Sequence, residues 1–154
     1  MELADGRIGV IGYRSGGRQT FLAACSLRIA AAVDCYGAFV VTAPPAGSPL
    51  KAEPLISRAA DLSCPLLGLF GADDRFPSPD EVDVLSAELD KLGKEHEFHV
   101  FPDAGHGFFS VDRPAYRRAA PAPGQGRGRP AVGDRQTSSD MYRRVPPGRK
   151  PTRS

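Results

Sequence analysis

The chain of 154 residues has no apolar run of the roughly 18 to 20 residues that a membrane span needs. Its N-terminus, MELADGRIGVIG, lacks a basic stretch leading into an apolar one, so no secretory signal is read and a cytoplasmic protein is expected. Cysteine is scarce. Cys25, Cys35 and Cys64 are odd in number, without CxxC spacing or a paired histidine, which argues against a disulfide framework or a zinc site. They read as small buried thiols, and no metal or organic cofactor is expected. Both the Gly-Lys-Ser/Thr of a P-loop and the GxGxxG of a dinucleotide fold are absent.

A hydrophobic content of 41% with 25% charged residues is ordinary for one globular domain. The net charge of +2 hides a split: residues 113–154 carry +9 and residues 1–112 carry −7. The basic part holds seven Pro and five Gly but no Ile, Leu or Phe. Such a composition cannot bury enough apolar surface to offset about 1 to 2 kcal/mol of backbone entropy per residue. A domain over 1–112 and a disordered Arg/Pro/Gly-rich tail over 113–154 are expected. The tail's charge alone could hold an anionic partner. Without an aromatic stacking platform it reads as a solvated extension, and no nucleic-acid or membrane partner is expected.

The first 112 residues alternate strand and helix. Arg7–Ile11, Ala31–Cys35, Pro65–Phe70 and His96–Phe101 read as strands, the third wholly apolar and of the kind buried on both faces. Gly16–Ser26 reads as a helix. A second helix is announced by Ser78-Pro79-Asp80-Glu81, which supplies an N-cap, a first-turn proline and a capping-box glutamate. Val82, Leu85, Leu89 and Leu92 then recur on one face until Gly93 ends it. Pro- and Gly-rich residues 42–53 form a loop. This order implies an α/β fold with a parallel sheet flanked by helices, too thin to be a whole sheet of its kind.

The stretch GYRSGG, residues 12–17, carries the chemistry. A nucleophile elbow is a tight strand-to-helix turn with small residues two positions either side of the nucleophile. Gly12 and Gly16 meet that demand, and the residue between them is Arg14. The turn aims the Ser15 N–H at a developing oxyanion. Shifting the frame to make Ser15 the nucleophile would put Tyr13 where a glycine is needed. Elbow nucleophiles are followed along the chain by an acid and then a histidine. Gly71-Ala72-Asp73-Asp74 follows the third strand and Gly105-His106-Gly107 the fourth, at the sheet edge where such residues converge. His96 and His99 read as ordinary strand residues.

From Gly6 to Tyr116 the chain resembles the C-terminal half of the dienelactone hydrolase family of α/β-hydrolases. GRIGVIGYRSGGR, AAVDCYGA, LSCPLLGLFGADDRFPSPDEV and HEFHVFPDAGHGFFSVDRPAY carry the likeness. The family's elbow is Gly-x-Cys-x-Gly-Gly, and the resemblance lays its cysteine on Arg14, its acid on Asp74 and its histidine on His106. It implies a partial α/β-hydrolase fold and cofactor-free hydrolysis of a small-molecule ester or lactone through an acyl-enzyme.

Three departures follow. A guanidinium stays protonated and has no lone pair with which to attack a carbonyl. The strands that precede the elbow in the family, with a second oxyanion donor, have no counterpart here. The likeness stops near Tyr116, where the composition changes; an encoding truncated upstream and frame-shifted downstream is expected. Gly107-Phe108-Phe109-Ser110 also replaces the arginine that holds the substrate carboxylate in dienelactone hydrolase, so the likeness does not extend to a dienelactone as substrate. Arg14 is expected to be solvent-exposed or paired with an acid, with His106 touching no nucleophile. Three further readings stay open: a hydrolase using Ser15, an anion-binding turn using Arg14 and Arg18, and tail-mediated binding to an anionic partner.

Overall fold

The computed structural model describes residues 8–112 and the backbone of 143–145; the expected tail otherwise lies outside the described residues. Strand β1 (Gly9–Tyr13) leads into helix α1 (Ser15–Ala24), then strand β2 (Ala31–Cys35). A 3₁₀ segment (Ile56–Asp61), which the sequence reading left unassigned, precedes strand β3 (Leu66–Gly71). Helix α2 (Pro79–Lys91) and strand β4 (His96–Phe101) complete the alternating part. Strand β5 (Arg143–Val145) pairs antiparallel with β4, giving three residues of the expected tail a place in the sheet. The strands lie in the order β1-β2-β3-β4-β5, the first four parallel.

The capping box forms as its residues dictate. The Ser78 hydroxyl accepts from the Glu81 N–H, and the Glu81 carboxylate accepts from the Ser78 N–H at 2.9 Å. This satisfies two of the helix's orphan donors. Val82, Leu85 and Leu89 turn inward, packing with Phe21 and Ala24 of α1 over Ala32, Leu66, Phe98 and Val100. Both helices therefore cover one face of the sheet. The other face presents Ile11 and Tyr13, both exposed, and the partly buried Val33, Leu67 and Leu69. Strand β3 is consequently buried on one face and partly open on the other, not buried on both as its uniform apolarity implies. What covers the second face near the strand ends is the 104–109 loop, through Ala104 and Phe108.

Strand β1 runs two residues further than its apolar run suggests. Parallel pairing with β2 extends to Tyr13 opposite Cys35, so the backbone ladder continues after the hydrophobic signal stops. The glycines explain how α1 lies so close to the sheet. A Cβ on Gly12 would strike the Gly16 carbonyl, and one on Gly17 would strike the Asp34 carboxylate and come within 3.0 Å of the Gly37 Cα. A Cβ on Gly16 would meet nothing. The spacing argument named Gly12 and Gly16; the close approaches fall on Gly12 and Gly17, because Gly16 contributes its backbone and not its side-chain direction.

Candidate active site

Arg14 stands at the tip of the strand-to-helix turn with φ 56° and ψ −123°. That region is costly for a residue with a Cβ, and such strain collects at functional sites. The surrounding structure enforces it. The Arg14 N–H donates to the Cys35 carbonyl at 3.0 Å, continuing the β1–β2 ladder, while α1 begins at the next residue. The elbow expected from the glycine spacing is therefore present in backbone form.

The guanidinium does not point into open water. Its Nη2 donates to the Ser110 hydroxyl at 3.0 Å, and a Cβ on Gly107 would come within 2.7 Å of it. No carboxylate pairs with Arg14 among the described residues. The expected alternatives, full exposure or an acidic partner, are thus both replaced by a half-buried cation lying against the loop that carries His106. Arg18 is not its companion: its Nε donates to the Phe39 carbonyl at 3.3 Å and its Nη2 to the Glu53 carbonyl at 2.6 Å.

At the ends of β3 and β4 the structure brings acid and histidine together. The His106 Nδ1 lies 2.9 Å from the Asp74 Oδ2, and the other carboxylate oxygen accepts from the Phe76 N–H at 2.9 Å. Asp74 is buried, whereas Asp73 is exposed and spends its backbone N–H on the Ala104 carbonyl at 3.0 Å. The two loops are clamped further by the Ala72 N–H donating to the Phe101 carbonyl at 2.9 Å. Gly71 permits this, since a Cβ there would strike the Ala104 carbonyl. Ser15 opens α1, is exposed, and makes no hydrogen bond to His106 among the described residues.

Several residues at the site escaped the sequence reading. Tyr36, buried at φ 46°, sets its ring edge-on to His106 with centroids 5.5 Å apart. Its signal was available, a bulky residue at a strand's carboxyl end before Gly37. Burial, joined by the negative charge Cys35 carries once ionised, raises its phenol above the ordinary value. Asp34 lies behind the turn, fully buried, with Oδ1 accepting from the Gly37 N–H at 2.8 Å and Oδ2 without a partner among the described residues. Burial pushes its carboxyl up to about 7. The three cysteines are buried as expected, and burial, reinforced by Asp34, pushes the Cys35 thiol up to about 11. Cys35 is therefore no thiolate at neutral pH and no substitute nucleophile. A cleft of about 390 Å³ is lined by Phe39, Asp74, Phe76 and His106.

A Ser–His–Asp grouping also exists where no substrate can reach it. The Ser86 Oγ lies 2.8 Å from the His96 Nε2, the His96 Nδ1 lies 3.1 Å from the Lys94 carbonyl, and Asp90 is 3.9 Å away. With Nδ1–H donating to Lys94, Nε2 accepts from Ser86. His96 is thus a strand residue that also serves as a polar tie between α2 and β4. Among the described residues no helix is long and apolar enough to cross a membrane, and no cluster of three metal-ligating side chains occurs.

Known proteins resemble this chain in sequence and fold. The chain is 38% identical over 117 residues to a protein of Methylorubrum extorquens bearing the provisional name carboxymethylenebutenolidase, covering 75% of this chain and 38% of that protein. An Escherichia coli protein of the same provisional name is 34% identical over 115 residues, covering 74% of this chain and 41% of its own. The crystal structure of a Klebsiella pneumoniae protein, provisionally a dienelactone hydrolase, superposes with a TM-score of 0.63 at 31% identity, over 73% of this chain and 45% of that one. An α/β-hydrolase enzyme from a deep-sea metagenome shares the fold at a TM-score of 0.53 and 21% identity. The chain spans about two fifths of the length of the curated relatives it matches. The sequence profile of the dienelactone hydrolase family matches residues 1–125, a stretch that takes in both the turn at Arg14 and the Asp74–His106 pair. On that match the chain belongs to the dienelactone hydrolase family and has the α/β-hydrolase fold.

Proposed function

We propose that this chain is the acid–base portion of a cytoplasmic hydrolase for small-molecule esters or lactones, in which position 14 no longer supplies a nucleophile. The observation that carries the reading is the 2.9 Å contact between His106 Nδ1 and a buried Asp74, beside a strained turn built for a nucleophile. An acid on Nδ1 fixes the imidazole tautomer and leaves Nε2 to take a proton from a nucleophile and return it to a leaving alcohol. The chemistry fails at one atom. Arg14 offers donors where a lone pair is needed. Losing a triad nucleophile costs about four to six orders of magnitude in rate, so the chain is a hydrolase by family with negligible turnover. No specific observation favours Ser15 as a replacement.

The test is acylation by p-nitrophenyl acetate. The chain as given should release nitrophenol no faster than its His106→Ala variant. Arg14→Cys should take up one acetyl group per chain: the introduced sulfur bonds to the acyl carbon, nitrophenolate leaves with the electron pair of the broken ester bond, and His106 holds the thiol proton. Adding His106→Ala should suppress that adduct. Turnover by the unaltered chain that vanishes in Ser15→Ala, or no adduct in Arg14→Cys, overturns the proposal.

A further inference from the structure

The Arg14 guanidinium lines a cavity of about 460 Å³ on the open face of the sheet, together with Tyr13, Tyr36, Leu69, Phe109 and Ser110. That volume lies within the range of small-molecule sites, roughly 300 to 1,000 Å³. The guanidinium has five N–H donors in a planar fork, of which one serves the Ser110 hydroxyl. No acid neutralises it among the described residues, and the first turn of α1 holds none either. A half-buried cation without a counter-charge calls for an anion. The neighbouring Cys35 thiol stays neutral and does not repel one.

The wall beside the cation defines what the anion is attached to. The rings of Tyr13, Tyr36 and Phe109 touch one another in a triangle, with centroid separations of 6.3, 6.2 and 5.9 Å. The Tyr13–Phe109 contact is edge-on at 86°. Three such rings offer a face and edges to a further planar ring. The fork of Arg14 matches the two oxygens of a carboxylate, which it can hold bidentately. Free phosphate would leave the aromatic wall unused.

We propose that this cavity is a binding site for a small aromatic carboxylate, its two oxygens on the Arg14 fork and its ring against Tyr13, Tyr36 and Phe109. The substitution that removes the nucleophile thereby creates a receptor for the class of molecule that ester hydrolysis releases. Binding requires no turnover, so the site stands or falls separately from the hydrolase reading.

Calorimetric titration of the full chain with sodium benzoate tests it, with benzamide, acetate and phosphate as comparison ligands. Benzoate should bind saturably and at least about tenfold more tightly than each of the other three. Arg14→Gln should weaken benzoate at least about tenfold. Phe109→Ala should weaken benzoate while leaving acetate unchanged, and this second variant carries the test if the first fails to fold. Equal affinity for benzoate and benzamide, or benzoate affinity untouched in a folded Arg14→Gln or Phe109→Ala chain, overturns the proposal.

Discussion

The Arg14 guanidinium donates to the Ser110 hydroxyl, four residues beyond His106. A side chain at the tip of the strand-to-helix turn thus fastens that turn to the histidine loop. The same loop's His106 is joined to Asp74.

The two adjacent glycines of α1 should respond oppositely to the same substitution. Gly17→Ala places a Cβ against the Asp34 carboxylate and the Gly37 backbone, and relief requires moving the helix off the sheet. A loss of about 2 kcal/mol or more is expected, comparable to overpacking a core. Gly16→Ala meets open space and gains up to about 1 kcal/mol of helix propensity. Denaturant midpoints of the two variants check this; a harmless Gly17→Ala would show that α1 is not held as described.

Asp34 makes stability depend on pH. Its carboxyl titrates near 7 in the fold against an ordinary 3.8, because burial penalises the charge. Between those values the folded chain holds a proton that the unfolded chain has lost, so stability falls as pH rises, by up to about 1.4 kcal/mol per unit. The contribution is fully present below about pH 4 and lost above about pH 7. Asp34→Asn should melt higher than the parent at pH 8, and the gap should close towards pH 4. A gap independent of pH would contradict the assignment.

Ser86 and His96 form a buried pair whose members depend on each other. Ser86→Ala leaves the His96 Nε2 without its hydroxyl donor, at an expected cost of about 1 to 3 kcal/mol. Replacing both, Ser86→Ala with His96→Phe, removes the orphaned nitrogen and should cost less than the two single changes added together. Urea unfolding of the four chains in a double-mutant cycle measures the coupling; strict additivity would dissolve the tie between α2 and β4.

What could be read locally in the chain was read well. The second helix, with its serine cap and leucine spacing, starts and stops as expected, since caps and amphipathic periods act within a few residues. Strands β2 and β4 match their apolar runs residue for residue. The order of turn, acid and histidine was likewise visible, because each follows a strand.

What escaped depends on residues distant in the chain. The sequence set His106 apart from His96 but not their partners; one meets a serine inside the core and the other an acid across two loops. Gly16 and Gly17 differ in what a Cβ would strike, which is decided by Asp34 and Gly37. Strand β5 arises from three residues of a basic, proline-rich stretch that find a partner in β4 some forty positions earlier.

The amino-acid order by itself determined that position 14 is an arginine in a glycine-framed turn, followed by an acid and a histidine, because identity and spacing are properties of the chain. The tertiary structure decided what that arginine does. Parallel pairing of β1 through β4 brings four strand ends to one edge, and there the guanidinium meets Ser110 beside a cavity lined by Tyr13, Tyr36 and Phe109.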